Sequence, residues 1–283
     1  MFVFKAAVVG AGTMGGEIAH AIANADVPVV LKDIEQRFVD RGMEKARSLW
    51  HSRVEAGKLE PSEFDRKVAL ITPTTSYDDL DDVDFVIEAT PERIELKREV
   101  FAELDETTPG HAILASNTSS LSITEMGLAT VRPELVVGFH FFYPASVMRL
   151  VEVIEGDDTA PETVQAAVNF AQAIRKTPIH CAEAPGFVVN RILNSSVAEL
   201  WRYQEETGIE LKELDSIVGD SDAAPIGPFA LCDILGLDTV LHVAEYLEQS
   251  YGERFYVHGL MRELVAAGDL GVKTGKGFYE HRR

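Results

Sequence analysis

Between Gly10 and Gly15 the chain reads Gly-Ala-Gly-Thr-Met-Gly, with the apolar run Ala6-Ala7-Val8-Val9 before it and an apolar stretch, Ile18 to Ala25, after it. That order reads as strand, tight turn and helix. A second apolar run, Val27 to Leu31, leads to Asp33, and a strand that returns after so short a crossover lies parallel to the first. The segment is therefore one βαβ unit. In such a unit Gly10 permits the tight turn, Gly12 lets the backbone approach a pyrophosphate, and Gly15 allows the helix to pack closely, while the helix N-terminus favours phosphate charge. Asp33, 18 positions beyond Gly15, stands where a carboxylate meets ribose hydroxyls and repels a 2′-phosphate. NAD is the expected cofactor. Lys32 and Arg37 are the neighbouring charges that would soften its preference over NADP.

The pattern continues as alternation. From Glu35 to Gly57, apolar residues recur at three- and four-residue steps (Phe38, Met43, Ala46, Leu49, Trp50, Val54), and a second helix begins near Pro61 and Ser62. Together they predict a helical hairpin between the second and third strands. Strand-like runs follow at 69–72, 85–89, 112–116, 135–141 and 150–154, with helical patterns at 91–104 and 162–173. Beyond Pro185 only helical patterns remain, at 187–206, 211–217, 237–249 and 261–267. The expected architecture is α/β: a Rossmann-type doubly wound sheet with a helical-hairpin insertion over residues 1–184, then an all-helical domain over 185–283.

Composition narrows the function classes. A balance of 46 acidic against 26 basic residues, net −20, argues against nucleic acid, which is bound through Lys and Arg patches. No apolar run approaches the roughly 20 residues that span a bilayer, which excludes a helical membrane protein. The opening 25 residues lack the basic start of a secretory signal, and Gly10, Gly12, Gly15 and Gly16 interrupt their apolar run. Cys181 and Cys232 are too few for a disulfide framework and lack metal-ligand spacing, so a reducing, cytoplasmic setting and no metal site are expected.

His140 ends one apolar strand, and Glu152 lies inside the next, joined to it by a short loop containing Pro144. An acid in an apolar strand needs a partner, because an unpaired buried carboxylate costs several kcal/mol or neutralises. Neighbouring strands can bring the two together. A carboxylate on one imidazole nitrogen orients the ring and favours its protonated form, which suits a general base in alcohol oxidation. A purely structural His–Glu pair would leave the same pattern.

These residues, with Ser116-Asn117-Thr118-Ser119-Ser120, Gly138-Phe139-His140-Phe141-Phe142, Leu150-Val151-Glu152-Val153, Pro185-Gly186-Phe187-Val188-Val189-Asn190-Arg191 and Lys273-Thr274-Gly275-Lys276-Gly277-Phe278-Tyr279, together resemble the 3-hydroxyacyl-CoA dehydrogenases across essentially the whole chain. The resemblance implies NAD-dependent, reversible oxidation of an (S)-3-hydroxyacyl-CoA, short-chain as in 3-hydroxybutyryl-CoA. It makes His140 the general base and Glu152 its partner, has Ser119 and Asn190 hydrogen-bond the substrate, and sets Asn117, Glu92 and Lys97 near the nicotinamide half of the cofactor. For Ser119 the alternative is helix capping, and for Lys97 an exposed charged face. Tyr143 stands where the family usually has Asn, which bears on the rim of the acyl pocket.

Coenzyme A is polyanionic, and the hairpin offers Lys45, Arg47, Arg53, Lys58, Arg66 and Lys67; the resemblance also assigns CoA contacts there. The C-terminal helices carry wide apolar faces, and the family expectation is a homodimer through them, a closed monomeric domain being the other reading. Two other functions fit the residues: a CoA-independent hydroxy-acid, sugar-acid or carnitine dehydrogenase with the same His–Glu base, and a non-catalytic NAD-binding protein.

Overall fold

The structure is a computed structural model that describes residues 2–221 and 224–281. The chain divides into two units, 1–183 and 184–283.

The first unit is built on one eight-stranded sheet in the order β3-β2-β1-β4-β5-β6-β7-β8. Its strands are β1 (Ala6–Val9), β2 (Val29–Lys32), β3 (Ile71–Thr74), β4 (Phe85–Glu88), β5 (Ile113–Ser116), β6 (Val136–Phe141), β7 (Leu150–Glu155) and β8 (Thr177–Ala182). Neighbours from β3 to β6 pair in parallel, β7 runs antiparallel to β6, and β8 is parallel to β7. Central strands β1, β2, β4 and β5 are buried throughout, as expected of parallel strands covered on both faces. Their Val, Ile, Leu and Phe side chains pack with Ile18 and Ile22 of α1 (Thr13–Asn24), with Trp50 of α2 (Gln36–Glu55) and with Phe170 of α6 (Pro161–Ala173).

The hairpin stands between β2 and β3 as α2 and α3 (Pro61–Val68). Gly57, at φ +64°, turns the chain between them: its N–H reaches Val54 O at 2.9 Å and that of Lys58 reaches Arg53 O at 2.8 Å, closing the end of α2 in a Schellman motif. The strand expected at 69–72 is displaced to Ile71–Thr74, because α3 runs on to Val68 and its C-cap takes Ala69. β8 was not legible in the sequence pattern. It is an edge strand containing Pro178 and is largely accessible, so neither alternation nor an apolar run marks it. The remaining helices are α4 (Ile94–Thr107) and the short α5 (Ile123–Gly127).

The second unit comprises α7 (Val189–Thr207), α8 (Leu211–Asp220), α9 (Pro228–Leu235), α10 (Leu237–Tyr251) and α11 (Gly259–Ala267) around Trp201, Leu214, Phe229, Leu237 and Met261. α9 was missed in the sequence because its cap is tertiary: Asp215, on α8, accepts from the N–H groups of Phe229 and Ala230 at 2.9 Å each. The closing Lys-Thr-Gly-Lys-Gly-Phe-Tyr segment folds onto Asp233, whose buried carboxylate accepts from Phe278 N and Tyr279 N at 2.9 Å and meets His281 Nε2 at 2.7 Å.

Candidate active site

One line of register runs Val9–Glu88–Ser116–Gly138 across β1, β4, β5 and β6. Gly10, Asn117 and His140 therefore reach the same C-terminal edge of the parallel strands, where ligands of such sheets bind.

At β1 the glycine turn is dictated by contact. Gly10 has φ +102°, and a Cβ there would stand 2.5 Å from Ala89 O; at Gly15 it would stand 1.8 Å from Gly10 O. At Gly12, the N-cap of α1, a Cβ would meet nothing within 4 Å, and no side chain caps the helix. An uncapped helix N-terminus opening onto empty space is a cradle for a pyrophosphate, so the residues present fit a dinucleotide. Asp33 Oδ2 accepts from Ala11 N at 2.6 Å and Oδ1 from Ile34 N at 2.7 Å, fixing the carboxylate at the rim of this turn.

The two neighbouring cations each have a partner within the protein. Lys32 is buried with its ammonium 3.4 Å from the Tyr77 ring centroid, and burial draws its pKa down against the pull of Glu103 and Asp33. Arg37 pairs with Glu35, Nε to Oε2 at 2.8 Å.

On β6 and β7, His140 and Glu152 are direct cross-strand partners. Nδ1 lies 2.8 Å from Glu152 Oε2, with Glu152 fully buried and His140 nearly so. The Phe142 ring packs on the imidazole at a centroid distance of 4.6 Å. The antiparallel pairing that follows the short loop supplies this contact.

Behind β5 the chain gathers on Glu92. Its Oε1 accepts from Thr118 Oγ1 at 2.6 Å, Ser119 N at 2.9 Å and Ser119 Oγ at 3.2 Å. Burial opposes its ionisation, but the charge of Lys97 and the bonds from Thr118 and Ser119 outweigh it and hold the carboxyl below its ordinary value. Helix capping falls to Ser122, which accepts from Glu125 N at 3.1 Å, and not to Ser119. Asn117 joins two strand ends: its N–H donates to Glu88 O at 2.8 Å and its Oδ1 accepts from Phe141 N at 2.9 Å, which turns the amide nitrogen away from that bond.

The exposed-face reading of Lys97 is corrected. Its side chain is 1% exposed, with Nζ 2.8 Å from Glu88 Oε1 and 3.4 Å from Glu92 Oε2. Of the six basic residues that the hairpin offers, three are engaged within the protein. Lys67 is buried on Asn24 O and Asp26, Arg66 also meets Asp26, and Lys45 lies 3.0 Å from the buried Glu17. Arg47, Arg53 and Lys58 are exposed, and Arg47 lines a cavity of about 720 Å³ with Met43, His51, Phe64 and Pro73.

Sequence reading overlooked Glu88 and Glu17. The signal for Glu88 was the one that revealed Glu152, an acid in an apolar strand. Glu17 accepts from Ser146 N at 3.1 Å, and Lys176 Nζ donates to Ala145 O at 2.5 Å, so the loop between β6 and β7 is anchored while Tyr143, Val147 and Met148 on it stay exposed. Asn190 lies in the first turn of α7, in the second unit.

Glycine turn, acid-tipped second strand and doubly wound sheet define a dinucleotide-binding protein. Residues 5–184 match the model of the 3-hydroxyacyl-CoA dehydrogenase NAD-binding domain and residues 186–281 that of the 3-hydroxyacyl-CoA dehydrogenase C-terminal domain, so the chain belongs to the 3-hydroxyacyl-CoA dehydrogenase family. It is 38% identical over 280 residues to the 3-hydroxybutyryl-CoA dehydrogenase of Clostridioides difficile, covering 99% of this chain and 100% of that one. It is also 38% identical over 279 residues to the fatty acid oxidation complex subunit alpha of Acinetobacter baylyi, of which it spans 39% of the length. Among solved structures, the (S)-3-hydroxybutyryl-CoA dehydrogenase of Ralstonia eutropha superposes with a TM-score of 0.94 at 39% identity over 100% of both chains. Among the described residues no helix is long and apolar enough to cross a membrane.

Proposed function

We propose that this protein oxidises the 3-hydroxyl of a short-chain (S)-3-hydroxyacyl-CoA, such as 3-hydroxybutyryl-CoA, to the 3-ketoacyl thioester, reversibly and with NAD. The observation that carries the proposal is the buried His140–Glu152 pair at the strand edge that also bears the glycine turn. The names of the full-length relatives in Clostridioides difficile and Ralstonia eutropha support the substrate.

NAD, held by Gly10, Gly12, Gly15 and Asp33, supplies the hydride acceptor when bound. The chain's own residues handle the proton. Glu152 accepts from Nδ1–H of His140, which leaves Nε2 as the nitrogen that removes the hydroxyl proton, and the carboxylate then steadies the imidazolium that forms. Ser119, anchored to Glu92 by its N–H, turns its hydroxyl proton to the substrate oxygen, where a donor favours the carbonyl character that develops; the family resemblance gives Asn190 a substrate-bonding role as well. Asn117 offers its amide nitrogen on the cofactor side, and Glu92, backed by Lys97, fixes the Ser119 segment. Arg47, Arg53 and Lys58 remain on the hairpin to meet the phosphates of CoA.

The protein acts as a cytoplasmic homodimer in this reading. Two free cysteines support a reducing compartment, and exposed Ile192, Leu193 and Tyr203 on α7 support association through the second unit.

The test is NADH formation from (S)-3-hydroxybutyryl-CoA, longer homologues and free 3-hydroxybutyrate. Activity confined to the thioesters is expected, with His140→Ala lowering kcat by about 10²- to 10⁴-fold and sparing NAD binding. Activity with free acids alone would move the protein to a CoA-independent class.

A further inference from the structure

Glu88 has no part in the scheme above, yet both of its carboxylate oxygens accept hydrogen bonds. It closes β4, is fully buried, and gathers donors from three segments: Lys97 Nζ at 2.8 and 2.9 Å, Ser116 Oγ at 2.6 Å, and Thr90 N and Oγ1 at 2.6 and 2.5 Å. Burying a carboxylate and an ammonium together is weak evidence for stability, since desolvation offsets much of their attraction and apolar residues of like shape often do as well. Such a pair calls for another account, and its connections give one.

Two routes leave Glu88 for the candidate catalytic edge. In the first, Lys97 is held so that it also lies 3.4 Å from Glu92 Oε2, and Glu92 Oε1 receives the N–H and hydroxyl of Ser119. In the second, Ser116 Oγ, itself donating to Glu88, accepts from Thr118 N at 3.2 Å, and Thr118 Oγ1 donates to Glu92. Both routes end on the segment 117–120. Asn117 is bound at its N–H by the carbonyl of Glu88 itself. The carboxylate thus sits at the root of a network whose branches carry the proposed substrate-facing side chain of Ser119.

We propose that Glu88 is a positioning residue, whose buried carboxylate sets the Ser119 hydroxyl through Lys97–Glu92 and Ser116–Thr118. The catalytic part of this inference rests on the function proposed above. The geometric part does not.

The experiment is a double-mutant cycle with an exchange measurement beside it. Glu88→Gln keeps the side-chain shape and removes the charge that holds Lys97. It is expected to lower kcat about 10-fold, a fraction of what losing a fixed donor costs, with NAD affinity changed less than about 2-fold. In a Ser119→Ala background the same substitution is expected to cost less than about 2-fold, because the group it positions is gone. Equal losses in both backgrounds, or a folded Glu88→Gln protein with wild-type kcat, would overturn the proposal. In parallel, amide hydrogen exchange of 117–121 is expected to quicken about 10-fold in Glu88→Gln while that of α1 stays unchanged; unchanged exchange at 117–121 overturns the geometric part whatever the substrate. Should the wild type fail to oxidise the thioester, the function proposal falls while the exchange arm still decides on Glu88. Where Glu88→Gln does not fold, Glu88→Gln/Lys97→Met removes both buried charges, and the same outcomes are read on it.

Discussion

Exchanging Glu152 for Gln retains the shape of His140's partner and deletes its charge. The carboxylate oxygen lies 2.8 Å from Nδ1, and both side chains are buried. With charge centres about 4 Å apart and an effective dielectric of about 20, carboxylate and imidazolium attract by about 4 kcal/mol. Only the charge present on the ring at the transition state counts toward rate. A proton half transferred makes the loss about 2 kcal/mol, or roughly 30-fold, and full transfer makes it about 4 kcal/mol, or roughly 10³-fold. Glu152→Gln is therefore expected to lower kcat between those limits. With NAD held at the glycine turn as proposed, its affinity is expected to stay within about 2-fold. Steady-state NADH formation gives kcat, and titration of the cofactor gives its affinity. A folded Glu152→Gln protein with kcat within about 3-fold of wild type would mean that the pair is structural, and the mechanism would be refuted.

Two further predictions concern stability. His20, buried on α1 against Trp50, has no hydrogen-bond partner at either ring nitrogen among the described residues, and burial, helped by Arg53, Lys176 and Lys67, draws its pKa down from 6.5 to about 3. Above 6.5 the ring is neutral in both states; below it the unfolded chain takes up a proton that the folded one refuses until about pH 3, so stability falls as pH falls. Urea unfolding should show a loss from this group of about 2 kcal/mol between pH 6.5 and about 5, which His20→Phe removes; identical pH slopes for the two proteins would contradict the argument. Gly277→Ala places a Cβ 2.2 Å from Asp233 Oδ1, the carboxylate that pins the closing segment, and should cost about 1–3 kcal/mol. A lowered urea midpoint with unchanged NAD affinity is expected, and an unmoved midpoint would show that the segment yields without strain.

What the sequence reveals depends on whether the cause is local. The strands β1, β4 and β5 were legible within a residue because parallel strands covered on both faces leave unbroken apolar runs. The two edge strands were displaced or overlooked: β3 contains Pro73 and β8 contains Pro178, residues an edge tolerates and a pattern reader takes for loop. α9 escaped notice because the carboxylate that caps it comes from α8. At the site, the glycine turn and the His140–Glu152 pair were readable because each carries its reason within a short stretch. Glu88, Lys97 and Glu92 were not readable as a unit, since their contacts depend on which strand ends the sheet order brings side by side.

The position of the proposed catalytic pair follows from the change of direction between β6 and β7 in the sheet. Between named strands, β6 and β7 form the antiparallel pair, and a short loop suffices to connect them, whereas a parallel return would need a crossover of about a dozen residues or more. Only direct reversal sets two residues so near in sequence opposite each other at the strand edge. Register then decides the chemistry, because a slip of one residue would send Glu152 to the other face. Gly138 guards against that slip: opposite Ile154, it leaves room for that side chain, and a Cβ there would stand 2.8 Å from Ile154 Cβ. The apolar partners Phe139 with Val153 and Phe141 with Val151 are buried in the same ladder. The glycine two residues before His140 is thus part of the device that keeps the imidazole on its carboxylate.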